Sequence, residues 1–288
     1  MVVVKLMGGL GNQMFQYALA RKLSLLYEVP LKLDISHYET YESRKYSLNV
    51  LNIIEDLATK DDIMAIKGKR LAKVKYLTEK ILPYYKRSCV SERFLSFDDN
   101  IFRTPKNVHL TGYWQSESYF KDIEEVICRE FAVKVKQSDH SEKIAALIDS
   151  CNAVSLHVRR TDYVSVPDTN QSHGICSLDY YQQAVGMISE KVASPHFFVF
   201  SDDILWAKEN LKIGHPTTFV SGNNKDRDFE DMRLISRCGH HIIANSSFSW
   251  WGAWLSRNVN KIIICPKKWF NNPRYFTETR IPAGWCKI

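Results

Sequence analysis

The stretch VVVKLMGGLGNQMFQYALARK, residues 2–22, decides the fold of this chain. Its apolar run 2–6 predicts a buried strand, and the apolar residues within 13–28 recur at helical spacing. The segment 30–34 predicts a second strand after that helix. A strand, a glycine loop, a helix and a strand form a βαβ unit, in which a parallel sheet is covered on both faces.

The second half of the chain shows the same alternation of short strands and helices. Strands are predicted at 153–158, 196–200, 217–220, 241–244 and 261–265, with helices at 228–237 and 246–257. This alternation is typical of a second parallel sheet. The sequence therefore predicts an α/β fold of two Rossmann-like domains facing a cleft, divided as 1–140 and 141–288. The region 50–140 has a mostly helical and basic pattern.

The composition is that of a globular protein with an excess of positive charge. The chain has 45% hydrophobic and 25% charged residues and a formal net charge of +7, which favours an anionic partner such as nucleic acid, a nucleotide or a membrane surface. Many of the basic residues fall within 67–87. That segment forms either the solvated face of a helix or a patch that rests on an anionic bilayer.

Cysteine usage and the N-terminus indicate the compartment. An odd number of cysteines, seven, without a C-x-x-C motif favours a reducing cytosol. The N-terminus lacks the features of a signal peptide, and no window approaches the ~18 apolar residues of a membrane span. We expect a cytoplasmic protein, with peripheral contact at the inner face of the membrane as its closest approach to the bilayer. No nucleic acid partner is expected, and the oligomeric state is open.

The glycine loop 8–13 lies between the first strand and the first helix. Glycines let the backbone turn tightly and approach a ligand, and the helix start offers N–H groups to an anion. The segment resembles a dinucleotide fingerprint, but Met14 occupies the position of its third glycine, which disfavours an NAD site. Asn12 and Gln13 add amide groups suited to sugar hydroxyls. A tight turn without a ligand is the alternative.

A pair of arginines follows a predicted strand in the segment HVRRTDY, residues 157–163. Ligands of open α/β sheets bind at this end of the strands. One of Arg159 and Arg160 can hold a phosphate through two parallel hydrogen bonds while the other pairs with Asp162. Fixed guanidinium groups would stabilise the charge of a departing pyrophosphate as a metal would. The alternative is a structural ion pair with Asp162.

The segment NSSFSWW, residues 245–251, lies between a predicted strand and a predicted helix. Ser246 or Ser247 is a natural N-cap, and the N–H groups that follow can bind a phosphate. The aromatic residues that follow either pack under a base or anchor the helix, and core packing is favoured for the two tryptophans.

Two adjacent carboxylates, Asp202 and Asp203, follow the predicted strand 196–200. We interpret them as a helix cap, with one carboxylate reaching a ribose or a base, rather than as a metal site. No cluster of histidines and cysteines supports a metal. The chain also lacks a Walker loop, which disfavours a P-loop kinase.

Five segments together resemble the signature segments of the α-1,2-fucosyltransferases, glycosyltransferase family 11. They are GGLGNQMFQYALAR (8–21), GYWQSESYF (112–120), HVRRTDY (157–163), FFVFSDD (197–203) and IIANSSFSWWGAWL (242–255). The resemblance implies a GT-B-like fold, GDP-β-L-fucose as donor and a terminal galactose as acceptor. It also implies an α-1,2 linkage formed with inversion, without a metal or another cofactor.

The resemblance assigns roles to the predicted domains and residues. It makes 1–140 the acceptor-side domain and 141–288 the GDP-fucose-binding domain, whose C-terminal tail is a candidate to pack back on the first domain. It places an arginine at the donor phosphates and the glycine-loop asparagine near the reacting centre. The general base is open between Asp162, whose alternative role is to orient an arginine, and His157, whose alternative is a packed core residue. The candidate catalytic residues are Asn12, His157, Arg159, Arg160 and Asp162. The candidate donor-binding residues are Gly11, Asp202, Asn245, Ser246, Ser247 and Phe248.

Two rival functions remain at this point. One is a carbohydrate-binding module without catalysis, which would use the aromatic residues around Trp114. The other is an NAD-dependent sugar-nucleotide enzyme. GDP and NAD would separate the three functions, because each ligand stabilises only a protein that binds it.

Overall fold

The computed structural model describes residues 1–41, 44–67, 81–160, 174–222, 227–271 and 279–288. The chain divides into two compact units. The first unit comprises Met1–Lys134 and Glu278–Pro282, and the second comprises Val135–Thr277 and Ala283–Ile288. Two sets of predicted features lie outside the described residues: most of the basic stretch, 68–80, and Thr161, Asp162 and Tyr163 of the HVRRTDY segment.

The first unit contains a four-stranded parallel sheet. Its strands are β1 (Val2–Lys5), β2 (Leu31–Asp34), β3 (Cys89–Ser91) and β4 (Val108–Thr111), in the order β2-β1-β4-β3. The three valines of the central strand β1 are fully buried, as expected for a parallel strand covered on both faces. Because all four strands are parallel, their carboxyl ends lie at one edge of the sheet.

The predicted βαβ unit is confirmed, but the prediction for the middle of the chain is partly wrong. Strands β3 and β4 lie in the region 50–140, which has a mostly helical pattern in the sequence. Strands of three and four residues are too short to display a period of two, so their apolar residues merge with the surrounding pattern.

The long helix of the first unit begins within the glycine loop, at Leu10. The helices described in this unit are α1 (Leu10–Tyr27), α2 (Lys60–Lys67) and α3 (Glu124–Glu130). Helix α1 ends at Tyr27 and is capped by Glu28, whose φ of 54° is left-handed and whose N–H bonds back to the helix. The Tyr17 hydroxyl donates to Glu130 over 2.6 Å, and Arg21 pairs with the same carboxylate at 2.9 Å. These buried contacts fix α1 against α3.

The chain returns to the first unit near its C-terminus. The Ser116 hydroxyl donates to the Thr279 carbonyl over 2.6 Å, and the Phe97 N–H donates to the Thr279 hydroxyl over 2.8 Å. The short return segment therefore completes the hydrogen bonding of two loops of the first unit.

The second unit contains a six-stranded parallel sheet in the order β10-β9-β8-β5-β6-β7. Its strands are β5 (Asn152–Val158), β6 (Pro195–Ser201), β7 (Thr217–Phe219), β8 (His240–Ile242), β9 (Ile263–Cys265) and β10 (Cys286–Lys287). The longest pairing joins β5 to β6 and ends with Val158 opposite Ser201. The five strands predicted in this half are all present, and the α/β class is confirmed.

Helices cover this second sheet. They are α4 (Asp139–Asp149), α5 (Leu178–Ser189), α6 (Ile204–Asn210), α7 (Asp228–Arg237) and α8 (Ser247–Leu255). Trp250 and Trp251 of α8 are fully buried, which confirms the prediction that they pack in the core. A β-carbon at Gly252 would lie 2.4 Å from Cγ2 of Ile235, so the glycine permits the close packing of α8 on α7. Across the described part of the chain, we find no helix with the length and hydropathy of a bilayer-spanning segment.

Candidate functional site

Three predicted segments meet at the carboxyl edge of the second sheet. Arg159 and Arg160 follow β5, Asp202 and Asp203 follow β6, and the NSSF turn follows β8. Strand β5 lies between β8 and β6, so the three segments follow neighbouring strands. This is the edge at which ligands of open α/β sheets bind.

Asp202 fixes the arginine pair. One of its carboxylate oxygens lies 3.2 Å from Nη1 of Arg159, and the other accepts the Arg160 backbone N–H over 2.8 Å. Asp202 therefore holds an arginine in the way that the sequence analysis assigned to Asp162, which lies outside the described residues. The pairing of Val158 with Ser201 brings these segments side by side.

Arg160 rests on an aromatic ring that the sequence analysis missed. Its guanidinium carbon lies 3.8 Å from the centre of the Trp206 ring, a cation–π arrangement, and its Nε lies 3.8 Å from Asp203. The Asp203 side chain also accepts the Trp206 N–H over 3.1 Å, which confirms the predicted helix cap at the start of α6. The signal for Trp206 was its place three residues after a capping aspartate.

The two arginines lie on different faces of the second sheet. Side chains alternate along a strand, and at the end of β5 the His157 ring contacts Phe248 whereas Val158 packs in the core cluster that contains Tyr181 of α5. The same alternation places Arg159 on the face of His157. It places Arg160 on the face of Val158, where its guanidinium group contacts the Trp206 ring that packs against this cluster.

His157 connects the end of β5 to the start of α8. Its ring centre lies 5.7 Å from that of Phe248, and only 5% of the residue is exposed. Burial lowers the pKa of the imidazole to about 4, although the nearby Asp202 charge opposes the decrease. The imidazole is therefore neutral at pH 7, and its low pKa makes it a weak proton acceptor. Its Nδ1 is buried and has no hydrogen-bond partner among the residues that the structure describes.

The start of α8 has the cap that the sequence predicts. Ser246 is the N-cap residue, with extended backbone, and its hydroxyl accepts the Phe248 N–H over 3.3 Å. Ser247 is the first helical residue, and it is half-buried. The first N–H groups of a helix carry partial positive charge, so this end of α8 attracts anions.

The Asn245 side chain forms hydrogen bonds within the protein interior. It is buried, and its Nδ2 donates to the Gly174 carbonyl over 3.3 Å and to the Trp269 carbonyl over 3.1 Å. Its Oδ1 accepts from the Cys176 thiol at 3.6 Å. These contacts hold the loops beside the helix start.

The two amide side chains of the glycine loop, Asn12 and Gln13, have different surroundings. Gly8 has a φ of +75°, and a β-carbon there would lie 2.5 Å from Nδ2 of Asn12. Gln115 donates to Oδ1 of Asn12 over 2.6 Å, which brings Asn12 into contact with the GYWQ segment, residues 112–115. Gln13 is fully buried and bonds to the Gly8 carbonyl and to residues 45 and 47. Gly11 lies in the first turn of α1.

A carboxylate at the end of β3 holds the GYWQ segment in place. Glu92 accepts the N–H groups of Tyr113 over 2.6 Å and of Trp114 over 3.0 Å. Trp114 has a φ of +55°, and a β-carbon at Gly112 would lie 2.4 Å from Cβ of Glu92. Burial raises the pKa of Glu92, and the two N–H bonds together with the Arg280 charge limit that increase.

Within the aromatic patch around Trp114, the exposed ring is that of Tyr113. Trp114 is only 2% exposed, so its side chain cannot form the surface of a lectin, whereas Tyr113 is 39% exposed. Within the described ranges there is no group of three or more histidine, cysteine or acidic residues suited to a metal ion. Metal independence stays a prediction.

Comparisons with known proteins agree over the whole chain. Residues 1–288 match the family described as Glycosyl transferase family 11. The chain is 35% identical to an α-1,2-colitosyltransferase of Escherichia coli over 295 residues, covering 100% of this chain and 98% of the relative. It is 33% identical to the O-antigen biosynthesis glycosyltransferase WbnK of Escherichia coli, covering 92% of this chain and 93% of the relative.

A solved structure shares the fold. It is a mutant of FUT1 from Arabidopsis thaliana in complex with GDP, with a TM-score of 0.53 and 14% sequence identity. The match covers 91% of this chain and 69% of that chain. The predicted GT-B-like class is confirmed by this likeness.

Proposed function

This chain belongs to glycosyl transferase family 11 and is a glycosyltransferase, and we propose that it transfers L-fucose from GDP-β-L-fucose to a terminal galactose. The acceptor atom in this proposal is the 2-hydroxyl oxygen, and the product is an α-1,2 linkage in a surface glycan or an oligosaccharide. No metal takes part. The GDP in the Arabidopsis thaliana FUT1 structure supports a guanosine diphosphate donor.

One observation carries the donor site: the contact between His157 and Phe248 at 5.7 Å. It joins the end of β5, which bears Arg159, to the first turn of α8. A guanidinium group and the N–H groups of a helix start thus lie on one side of the same sheet edge. Together they supply two sources of positive potential, as a diphosphate requires.

The proposed reaction is a single displacement. The galactose 2-oxygen forms a bond to the anomeric carbon of fucose, and the bond from that carbon to the phosphate oxygen breaks. The electron pair leaves with GDP, and the 2-hydroxyl proton passes to a base. Asp162 and His157 stay the candidates for that base.

Arg159 would act on the leaving group. Asp202 orients its guanidinium before the donor binds, so no reorganisation is needed as negative charge develops on the β-phosphate. The first N–H groups of α8 would stabilise the same charge from the other side of the phosphate group. This arrangement can take the place of a divalent cation.

The test is incubation of the purified chain with GDP-fucose and galactose-terminated glycans in the presence of EDTA. Mass spectrometry detects transfer, and NMR assigns the linkage and the anomeric configuration. We expect an α-1,2-fucosylated product at the same rate with and without EDTA. Activity that EDTA abolishes and Mn²⁺ restores would contradict the metal-free mechanism. Failure to modify any galactoside would contradict the proposal that the acceptor is a terminal galactose.

A second donor is favoured by one relative. The Escherichia coli protein that is 35% identical over the whole chain is an α-1,2-colitosyltransferase. Colitose is L-fucose without its 3-hydroxyl, so the two GDP-sugars differ at one position only. Competition between GDP-fucose and GDP-colitose for the same acceptor separates the two proposals, and the donor with the higher kcat/KM is the specific one.

A further inference from the structure

Exposed aromatic rings gather at the carboxyl edge of the first sheet. The 3-10 helix Ser36–Glu39 follows β2, and the GYWQ segment follows β4. Tyr41 is 43% exposed, and Tyr113 is 39% exposed. These two rings, together with His37 and Tyr38, are called the aromatic surface below.

The part of the aromatic surface after β2 is ordered by ring contacts. The His37 ring stacks on Tyr41, with centres 4.8 Å apart and planes 28° apart. Tyr38 meets His37 edge-on at 5.4 Å, and its hydroxyl donates to the Gly8 carbonyl over 2.8 Å. The rings are therefore attached to the glycine loop that presents Asn12.

The part after β4 is held by Glu92. Its carboxylate bonds to the Tyr113 N–H over 2.6 Å, so the tyrosine backbone is fixed although its ring is exposed. Burial raises the pKa of Tyr113, and the neighbouring Tyr41 and Glu92 add to the increase. The Tyr38 hydroxyl donates to the Gly8 carbonyl of the glycine loop, and Gln115 of the GYWQ segment donates to Asn12 of the same loop. The glycine loop therefore connects the two segments into one surface.

We propose that the aromatic surface binds the acceptor glycan by packing against the apolar face of a galactose-type ring. Exposed rings that are already held in place lose little conformational entropy when a sugar covers them. The amides of Asn12 and Gln115, which meet at 2.6 Å in the same unit, are suited to the hydroxyls of that sugar. This inference rests on the proposed function, because it names the acceptor subsite of that reaction.

A sugar fits this surface better than a protein or a lipid. The rings carry hydroxyl and imidazole groups, so the surface combines apolar area with hydrogen-bonding atoms at its rim. It is also placed at the strand ends, where ligands of parallel sheets bind, rather than on the outer face of a helix.

Single substitutions test the surface. Tyr113→Leu and Tyr41→Leu remove one ring each and keep apolar volume, and Tyr113→Phe keeps the ring. We expect each leucine variant to raise the acceptor KM roughly tenfold, the equivalent of one favourable ring contact, whereas the phenylalanine variant stays within about threefold. The donor KM and the stabilisation by GDP should not change. Leu26→Ala is the matched control, because Leu26 is 48% exposed on the last turns of α1.

Binding without turnover separates this inference from the proposed function. Saturation-transfer NMR with methyl β-galactoside should show contact with wild-type protein, and the contact should weaken in Tyr113→Leu and Tyr41→Leu. If both leucine variants fold and keep the wild-type acceptor KM and NMR contact, the proposal that the aromatic surface binds the acceptor is overturned. Wild-type protein that binds the galactoside but transfers no fucose would instead overturn the donor assignment alone.

Discussion

Replacing Arg159 by lysine is the most direct perturbation of the donor site. Lysine keeps the positive charge but cannot form two parallel N–H bonds, and it loses the 3.2 Å contact with Asp202. The Arg159 side chain is 19% exposed, so its hydrogen bonds are made in a largely desolvated place. A hydrogen bond to a charged group is worth about 1.5–3 kcal/mol. Losing one in the transition state therefore lowers kcat/KM about 10- to 150-fold.

The assay is steady-state kinetics with GDP-fucose and a galactose-terminated acceptor. Arg160→Lys is the matched control, because a lysine there still places a cation near the Trp206 ring. We expect it to lose less than about tenfold in kcat/KM. The reasoning is refuted if Arg159→Lys keeps activity within threefold of wild type, or if Arg160→Lys is the more damaging change in equally stable proteins.

Three further predictions concern stability, geometry and pH. Gly252→Ala places a β-carbon 2.4 Å from Ile235, and we expect it to lower the free energy of unfolding by about 1–3 kcal/mol in urea titrations; wild-type stability would contradict the packing. Gln115→Glu removes the N–H donated to Asn12, so kcat should fall roughly tenfold with the donor KM unchanged, and wild-type kcat would count against the amide contact. The pKa of His157, about 4, lies below its usual ~6.5, so the unfolded chain protonates first. The stability it contributes is complete above pH ~6.5 and is lost as the pH falls toward 4, by roughly 1–2 kcal/mol at pH 5. His157→Gln should flatten that dependence, and an unchanged pH profile of unfolding would contradict burial of a neutral imidazole.

Local patterns made much of the fold predictable. The valines of β1, the glycine loop and the apolar stripe of α1 are adjacent in sequence, so the βαβ unit follows from periodicity and turn chemistry. The caps at Asp203 and Ser246 were predictable for the same reason, since an N-cap acts on residues two or three positions away.

Contacts between distant segments were not predictable. Arg159 meets Asp202 only because β5 pairs with β6 in the register that sets Val158 opposite Ser201. No pattern in the sequence predicts that register of strand pairing. Glu92 gives no local signal for the same reason, because its partners at Tyr113 and Trp114 follow a different strand. The sequence offers Asp162 as a partner because it is close in the chain, and that pairing stays a prediction because Asp162 lies outside the described residues.

The return of residues 279–282 has a practical consequence for protein engineering. A gene fragment that stops at Lys134 would encode the first sheet but omit Thr279, which satisfies Ser116 and Phe97. A chimera that exchanges the first unit between relatives must therefore transplant two pieces of chain, the N-terminal block and this tetrapeptide. A single crossover would leave the Ser116 hydroxyl and the Phe97 N–H of the transplanted block without the Thr279 that they bond to.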